Sequence, residues 1–283
     1  MYTLKVTNSA GTAIQLVPST NYAVTSIDGL TPPAAVVNSS YVGGADGALF
    51  NSAKLDVRNI VLTVVPYAPI ERNRLQLYRI FRPKDLVTLA LTNGSRDVNI
   101  QGYVESVSGD LFTMRQALQI SILCMYPYWQ SAQEIVDILS NTLDMWEFPF
   151  ETEPVGKVMS ELSEINTLTI SNDGDADTGI IIELVASGAV VNPVVIDSAT
   201  LQSFELNFSM QASDVITINT KYSQKAVTLL RGGVTSNIIN SLTGSPTWFQ
   251  VPSLGSMVLT ITADSGFEYL TTRVRHNMLY MGV

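Results

Sequence analysis

Charge is scarce in this sequence. Asp, Glu, Lys and Arg supply 14% of its residues, about half of the roughly 25% usual for soluble globular chains. Surface so poor in charge implies that something else covers part of it. A membrane is one possible cover, but no run approaches the ~18 to 20 apolar residues that a spanning helix needs. Nor does the start, Met1-Tyr2-Thr3-Leu4-Lys5-Val6, offer a basic n-region followed by an apolar h-region. Membrane insertion and Sec export are therefore not expected, and synthesis in a cytoplasm is. Partner protein is the expected cover.

Cysteine and histidine are almost missing too, one of each. Cys124 cannot form an intramolecular disulfide, and it lies in the apolar stretch Ile120-Ser121-Ile122-Leu123-Cys124-Met125, where a buried thiol is ordinary. His276 is the one imidazole available as a general base, and no GxSxG elbow accompanies it. No Walker loop and no HExxH is present, and one His with one Cys cannot make the usual zinc ligand sets. Catalysis, metal and cofactor are accordingly not expected. Asp173, Asp175 and Asp177 alternate as in a calcium loop, yet the sharp-turn glycine position is Thr178 and the bidentate glutamate position is Leu184. An acidic turn between strands and a weak calcium site both fit that run. Glycosidase chemistry needs two carboxylates at a separation that sequence does not reveal, so a wall-degrading hydrolase is carried as a third reading.

What is present is a mainly β chain of 283 residues, long enough for two cores. Ten Lys and Arg face nine Asp and Glu through residue 136, while six face sixteen beyond it. That asymmetry supports two domains and argues against nucleic-acid binding by the second half. We expect a first domain over residues 1–132, a helix and linker over 133–156, and a second domain over 157–283. Strands are expected at 2–6, 24–27, 55–65, 87–91, 98–107 and 116–125, where β-branched residues cluster between turn signals. Residues 28–47, rich in Gly and Asn, should form loops or a long open hairpin. Leu77, Ile80 and Phe81 recur at helical spacing in residues 70–82, which Pro83 closes. The arginines on that helix, Arg72 and Arg74 among them, read as a protein-facing or solvated surface. Ser131 and Glu134 have capping-box spacing ahead of Ile135, Val136, Ile138, Leu139 and Leu143, which predicts a second short helix. From residue 168 onward, turn signals about every ten residues mark an antiparallel sandwich, with strands expected at 180–185, 194–196, 203–208, 215–219, 226–230, 257–262 and 270–275. Tyr222 and Trp248 on that sandwich could stack on a sugar ring, or Trp248 could be core.

An ordered set of segments resembles the distal tail proteins of phages with long, non-contractile tails. Ser26-Ile27-Asp28-Gly29-Leu30-Thr31-Pro32-Pro33, Gly44-Ala45-Asp46-Gly47 and Asp56-Val57-Arg58-Asn59-Ile60-Val61-Leu62 look like the opening of that family's N-terminal domain. Ile70-Glu71-Arg72-Asn73-Arg74-Leu75 and Asn99-Ile100-Gln101-Gly102-Tyr103-Val104-Glu105 follow in the same order. Ile170-Ser171-Asn172-Asp173-Gly174-Asp175, Val191-Asn192-Pro193 and the closing Tyr280-Met281-Gly282-Val283 are similar to its C-terminal domain. The resemblance implies an all-β chain with two short helices: a barrel-like, ring-forming first domain and a galectin-like sandwich. It implies a homohexameric ring at the virion tail tip, made in the host bacterial cytoplasm, and not an enzyme. Its partners would be the tail-tube protein and a tail-associated lysin or hub, with a receptor-binding protein or host glycan as further candidates. Nucleic acid would meet it only through an open channel. Gly43, Gly44, Asp46, Gly47, Arg72 and Arg74 are the expected subunit-interface residues, and Tyr222 and Trp248 the candidate glycan contacts of the alternative carbohydrate-binding reading.

Overall fold

A computed structural model describes residues 2–44, 46–109, 112–113, 116–140, 142–144, 160–162, 166–244 and 246–283. Packing divides the chain into two compact units, residues 1–133 with 279–283, and residues 134–278. Of the expected helix and linker over 133–156, residues 141 and 145–156 lie outside the described residues.

The first unit runs β1 (Thr3–Asn8), β2 (Ala13–Val17), β3 (Tyr22–Asp28), β4 (Ala35–Ser40), β5 (Leu49–Leu55), β6 (Arg58–Pro66), α1 (Ile70–Ile80), β7 (Leu86–Thr92), β8 (Asp97–Gly109), β9 (Leu118–Cys124) and β10 (Trp129–Ser131). Its main sheet is antiparallel in the order β2-β1-β7-β8-β9-β6-β3. Alternation builds it: on β6, Ile60, Leu62 and Val64 are wholly buried while the residues between them reach the other face. The sheet curls until its edge strands β2 and β3 touch without pairing, a nearly closed barrel. Inside it lie Leu4, Val6, Leu89, Ile100, Ile120 and Ile122. The helix α1 lies where its spacing predicted and buries Asn73, Leu77 and Ile80. It stops where the Phe81 N–H donates back to the Leu77 carbonyl and Pro83 forbids another turn.

Residues 279–283 return to this unit after the whole of the second has been traced. Leu279 and Tyr280 pair with Gln130 and Trp129 of β10, and β10 pairs in turn with β8. Trp129 has no exposed surface.

In the second unit, one sheet has the order Ile135–Leu139, Leu270–His276, Ile181–Ala186, Val215–Asn219, Ala226–Arg231, Val234–Asn237. The other has the order Thr167–Asn172, Gly255–Thr262, Val194–Asp197, Ser203–Leu206, Leu242–Thr243. Ile182, Leu184, Ile216 and Val274 of the first sheet and Ile170, Phe204, Leu259 and Ile261 of the second share one core, so the unit is a sandwich.

The expected second helix is not formed. Residues 135–139 are a strand, paired antiparallel with Leu270–His276 from Ile135↔His276 to Leu139↔Thr272, and Thr142–Asp144 is a strand as well. Ser131 Oγ donates to the Gln133 carbonyl at 2.7 Å instead of capping a helix. Ile135, Val136 and Ile138 are β-branched, and Leu270–His276 needed a neighbour on that edge. Tertiary pairing overrode a weak local signal.

Candidate assembly surfaces

The expected hairpin is β4 and β5, a two-stranded sheet apart from the barrel. Only Leu55 of its strand residues is even half-buried. Its register sorts its side chains by face. Ala35 opposes Leu55, Val37 opposes Ala53 and Ser39 opposes Phe50, while Val36 opposes Lys54, Asn38 opposes Ser52 and Ser40 opposes Leu49. One face therefore carries Val37, Ala53 and Phe50. The other is tied by an Asn38 to Ser52 hydrogen bond of 3.0 Å. Phe50 is 67% exposed and Tyr41, at the tip, 85%. A lone hairpin is marginal in water, and an arm with a bare apolar face needs a cover. Gly43, Gly44, Asp46 and Gly47 all lie exposed in its tip, with Gly44 and Gly47 at φ +84° and +86°.

Arg72 and Arg74 sit on α1, away from that tip in sequence. Arg72 is exposed. Arg74 pairs with Glu71 one turn back and lies 5.9 Å over the Tyr78 ring, so its own helix holds it.

The hairpin's root is fixed by a residue that sequence reasoning did not single out. Arg58 is 2% exposed and donates to four carbonyls: Gly29 (2.5 Å) and Thr31 (2.6 Å) before the hairpin, Pro127 (2.7 Å) ahead of β10, and Met281 (2.5 Å) in the returning segment. Beside it Gly29, at φ +86°, leaves no room for a Cβ, which would meet the Asn59 carbonyl oxygen at 2.3 Å. Arg96 secures the same return by donating to the Gly282 carbonyl at 2.6 Å and stacking 4.3 Å from the Tyr280 ring.

On the sandwich, Tyr222 is 68% exposed in the turn after Val215–Asn219. Trp248 is half-buried against the core, its ring edge-on to Phe204 at 5.4 Å and covered by Lys225 Nζ at 5.7 Å. His276 is wholly buried, its Nε2 is 3.1 Å from the Ser171 carbonyl, and burial holds its pKa below the usual imidazole value. Cys124 is buried as expected, and burial pushes its thiol up to about 12. Both are core side chains. Around the acidic turn, Asn172 Oδ1 accepts the Gly174 N–H at 2.9 Å and Asp177 Oδ1 accepts the Ser253 N–H at 2.8 Å, and no group of three His, Cys, Asp or Glu stands together among the described residues.

Comparison with solved structures is decisive for the architecture. The chain matches the crystal structure of the Dit protein of phage SPP1, described there as a paradigm of the hub adsorption apparatus in phages infecting Gram-positive bacteria. The TM-score is 0.70 at 13% identity, with 98% of each chain covered. The fold is that of a phage distal tail protein. Chains of the phage P2 baseplate in its activated conformation also match, with TM-scores of 0.58 (with calcium) and 0.57 (with strontium), each at 10% identity and 98% coverage of both chains. No protein-family profile and no curated protein matches the sequence. The distal tail fold is thus shared at identities where little beyond pattern survives. Strand alternation and core volume can persist through such divergence because many apolar side chains fill the same space.

Proposed function

We propose that this chain is a structural, non-enzymatic component of a phage tail tip. In this reading it forms a hexameric ring that joins the tail tube to the baseplate hub and anchors receptor-binding or lysin components. The likeness to Dit and baseplate chains over 98% of the sequence carries the reading. The first unit builds the ring, with the β4–β5 hairpin reaching a neighbouring subunit and the galectin-like second unit presented to further partners. The bare apolar face of that hairpin and the scarcity of charge support it, since both ask for protein cover. Glycan binding by Tyr222 and Trp248 is the weaker reading, because Phe204 and Lys225 already occupy the edge and a face of the Trp248 ring.

Light scattering with negative-stain imaging of the purified chain tests the ring. A six-fold ring with an open channel is the expected result, lost on deletion of residues 38–50. A chain that stays monomeric at every concentration overturns the ring, and a ring that survives the deletion overturns the hairpin's part in it.

A further inference from the structure

The curled sheet leaves an apolar groove of ≈ 300 Å³ at its unpaired seam, lined by Tyr2, Leu4, Val17, Leu91 and, along β3 and after it, Val24, Thr25, Ser26, Ile27 and Leu30. Leu4 and Leu91 form its buried floor, while Tyr2 at the rim is 58% exposed. Among the described residues no charged side chain lines it. A bulge between Val24 and Ser26 interrupts the β3 ladder at its lip. Such a groove can bury one aromatic side chain and its neighbour without stranding a charge.

The same unit carries a fitting occupant. Val37, Ala53 and Phe50 share the bare face of the hairpin, and Phe50 lies next to its tip. Knob and groove of one molecule are held apart. Ile27 and Leu30 lie just before the hairpin's root, which the Asp56 N–H closes by donating to the Ala34 carbonyl at 2.9 Å. From that root the six residues of β4, at roughly 3.3 Å each, carry the tip about 20 Å away. Two different patches on one chain that fit each other make a head-to-tail contact, which closes into a ring when the rotation allows.

Resting on the ring reading above, we infer that the seam groove between β2 and β3 is the socket for the hairpin of a second copy, with Phe50 inserted and Val37 beside it. The contact fixes the direction of the ring, because each subunit gives one arm and receives one.

The test mixes equal amounts of full-length Ser39→Cys and Ser26→Cys chains in oxidised glutathione, Ser39 lying opposite Phe50 on the same face of the hairpin so that the knob itself is kept. Both positions are exposed, and the buried Cys124 thiol stays silent. The mixed disulfide should form roughly tenfold faster than that between Ser39→Cys and Lys5→Cys, because Lys5 is an exposed β1 residue outside the groove. Equal rates overturn the socket. Light scattering on the unsubstituted chain separates the two claims. A six-fold assembly with equal rates removes the socket and leaves the ring standing, and a monomer with equal rates removes both.

Discussion

Arg58 is a buried cation that donates to four backbone carbonyls, and these acceptors come from three separate stretches of the first unit. Burial lowers its pKa, with the neighbouring Cys124 acting the other way, but a guanidinium stays charged in proteins. Arg58→Met keeps volume and removes the donors, leaving those carbonyls buried and short of partners. A loss of about 3 kcal/mol is expected, read as a lower denaturant midpoint for the first unit with the second unchanged. An unshifted midpoint would mean that water replaces the guanidinium at no cost. His276 acts on the second unit through pH. Burial holds its folded pKa below the unfolded value of about 6.5, so between those two values the unfolded chain binds the extra proton and stability falls as pH falls. Asp214 titrates elsewhere: its hydrogen bond to Arg231 holds its folded pKa below the usual carboxylate value, so its contribution is lost only at lower pH. The second unit should therefore lose stability as pH falls through the unfolded imidazole value of about 6.5 toward the lower folded one, and His276→Gln, whose amide can still meet the Ser171 carbonyl, should flatten that slope. Identical slopes in the two proteins would exclude His276 as the source.

Elements divide into those whose neighbours are irrelevant to their conformation and those that neighbours decide. The strand β6 and the helix α1 belong to the first kind. Ile60, Leu62 and Val64 alternate without a break, and Leu77 with Ile80 recurs on one helical face before Pro83. Most sandwich strands were equally legible, because β-branched runs stood between Gly, Asp and Ser turns. Residues 135–139 are of the second kind. Ile135, Val136, Ile138 and Leu139 satisfy a helical and an extended pattern about equally, and the free edge of Leu270–His276 settled the matter. The hairpin could be read from its glycines as an open excursion, but its apolar face could not. An irregularity between Asn38 and Ser39 breaks the period-2 pattern, so Phe50 joins Val37 only once the register is known. Arg58 reads in sequence as an ordinary strand-edge charge, and the return of residues 279–283 depends on pairing across some 150 positions, from Gln130 to Leu279. The socket is the least legible feature of all, since a seam exists only where a sheet curls far enough to bring its two edges together.

At the scale of the whole molecule the chain is a nested design: a contiguous sandwich is inserted between residue 133 and residue 279 of a barrel. The break falls at a place the barrel closes for itself. Leu279 pairs with Gln130, and the Ala132 N–H donates to the Asp97 carbonyl at 2.9 Å, so Gln133 and Leu279 are held near each other by first-unit contacts alone. Insertions of this kind are tolerated because the host's ends already lie close together. Excising residues 134–278 and joining Gln133 to Leu279 with about five Gly and Ser residues should therefore leave a folded barrel, since a flexible linker of that length spans roughly 12 Å. Its circular dichroism should retain a cooperative strand-type transition, and Trp129 should stay shielded from quencher. Because the hairpin, the seam groove and the Arg58 junction all lie in the retained part, the proposed ring contacts place ring assembly, too, in the excised chain. A folded monomer would move the ring contacts to the sandwich, and an unfolded chain would show that the sandwich stabilises the barrel that surrounds its insertion point.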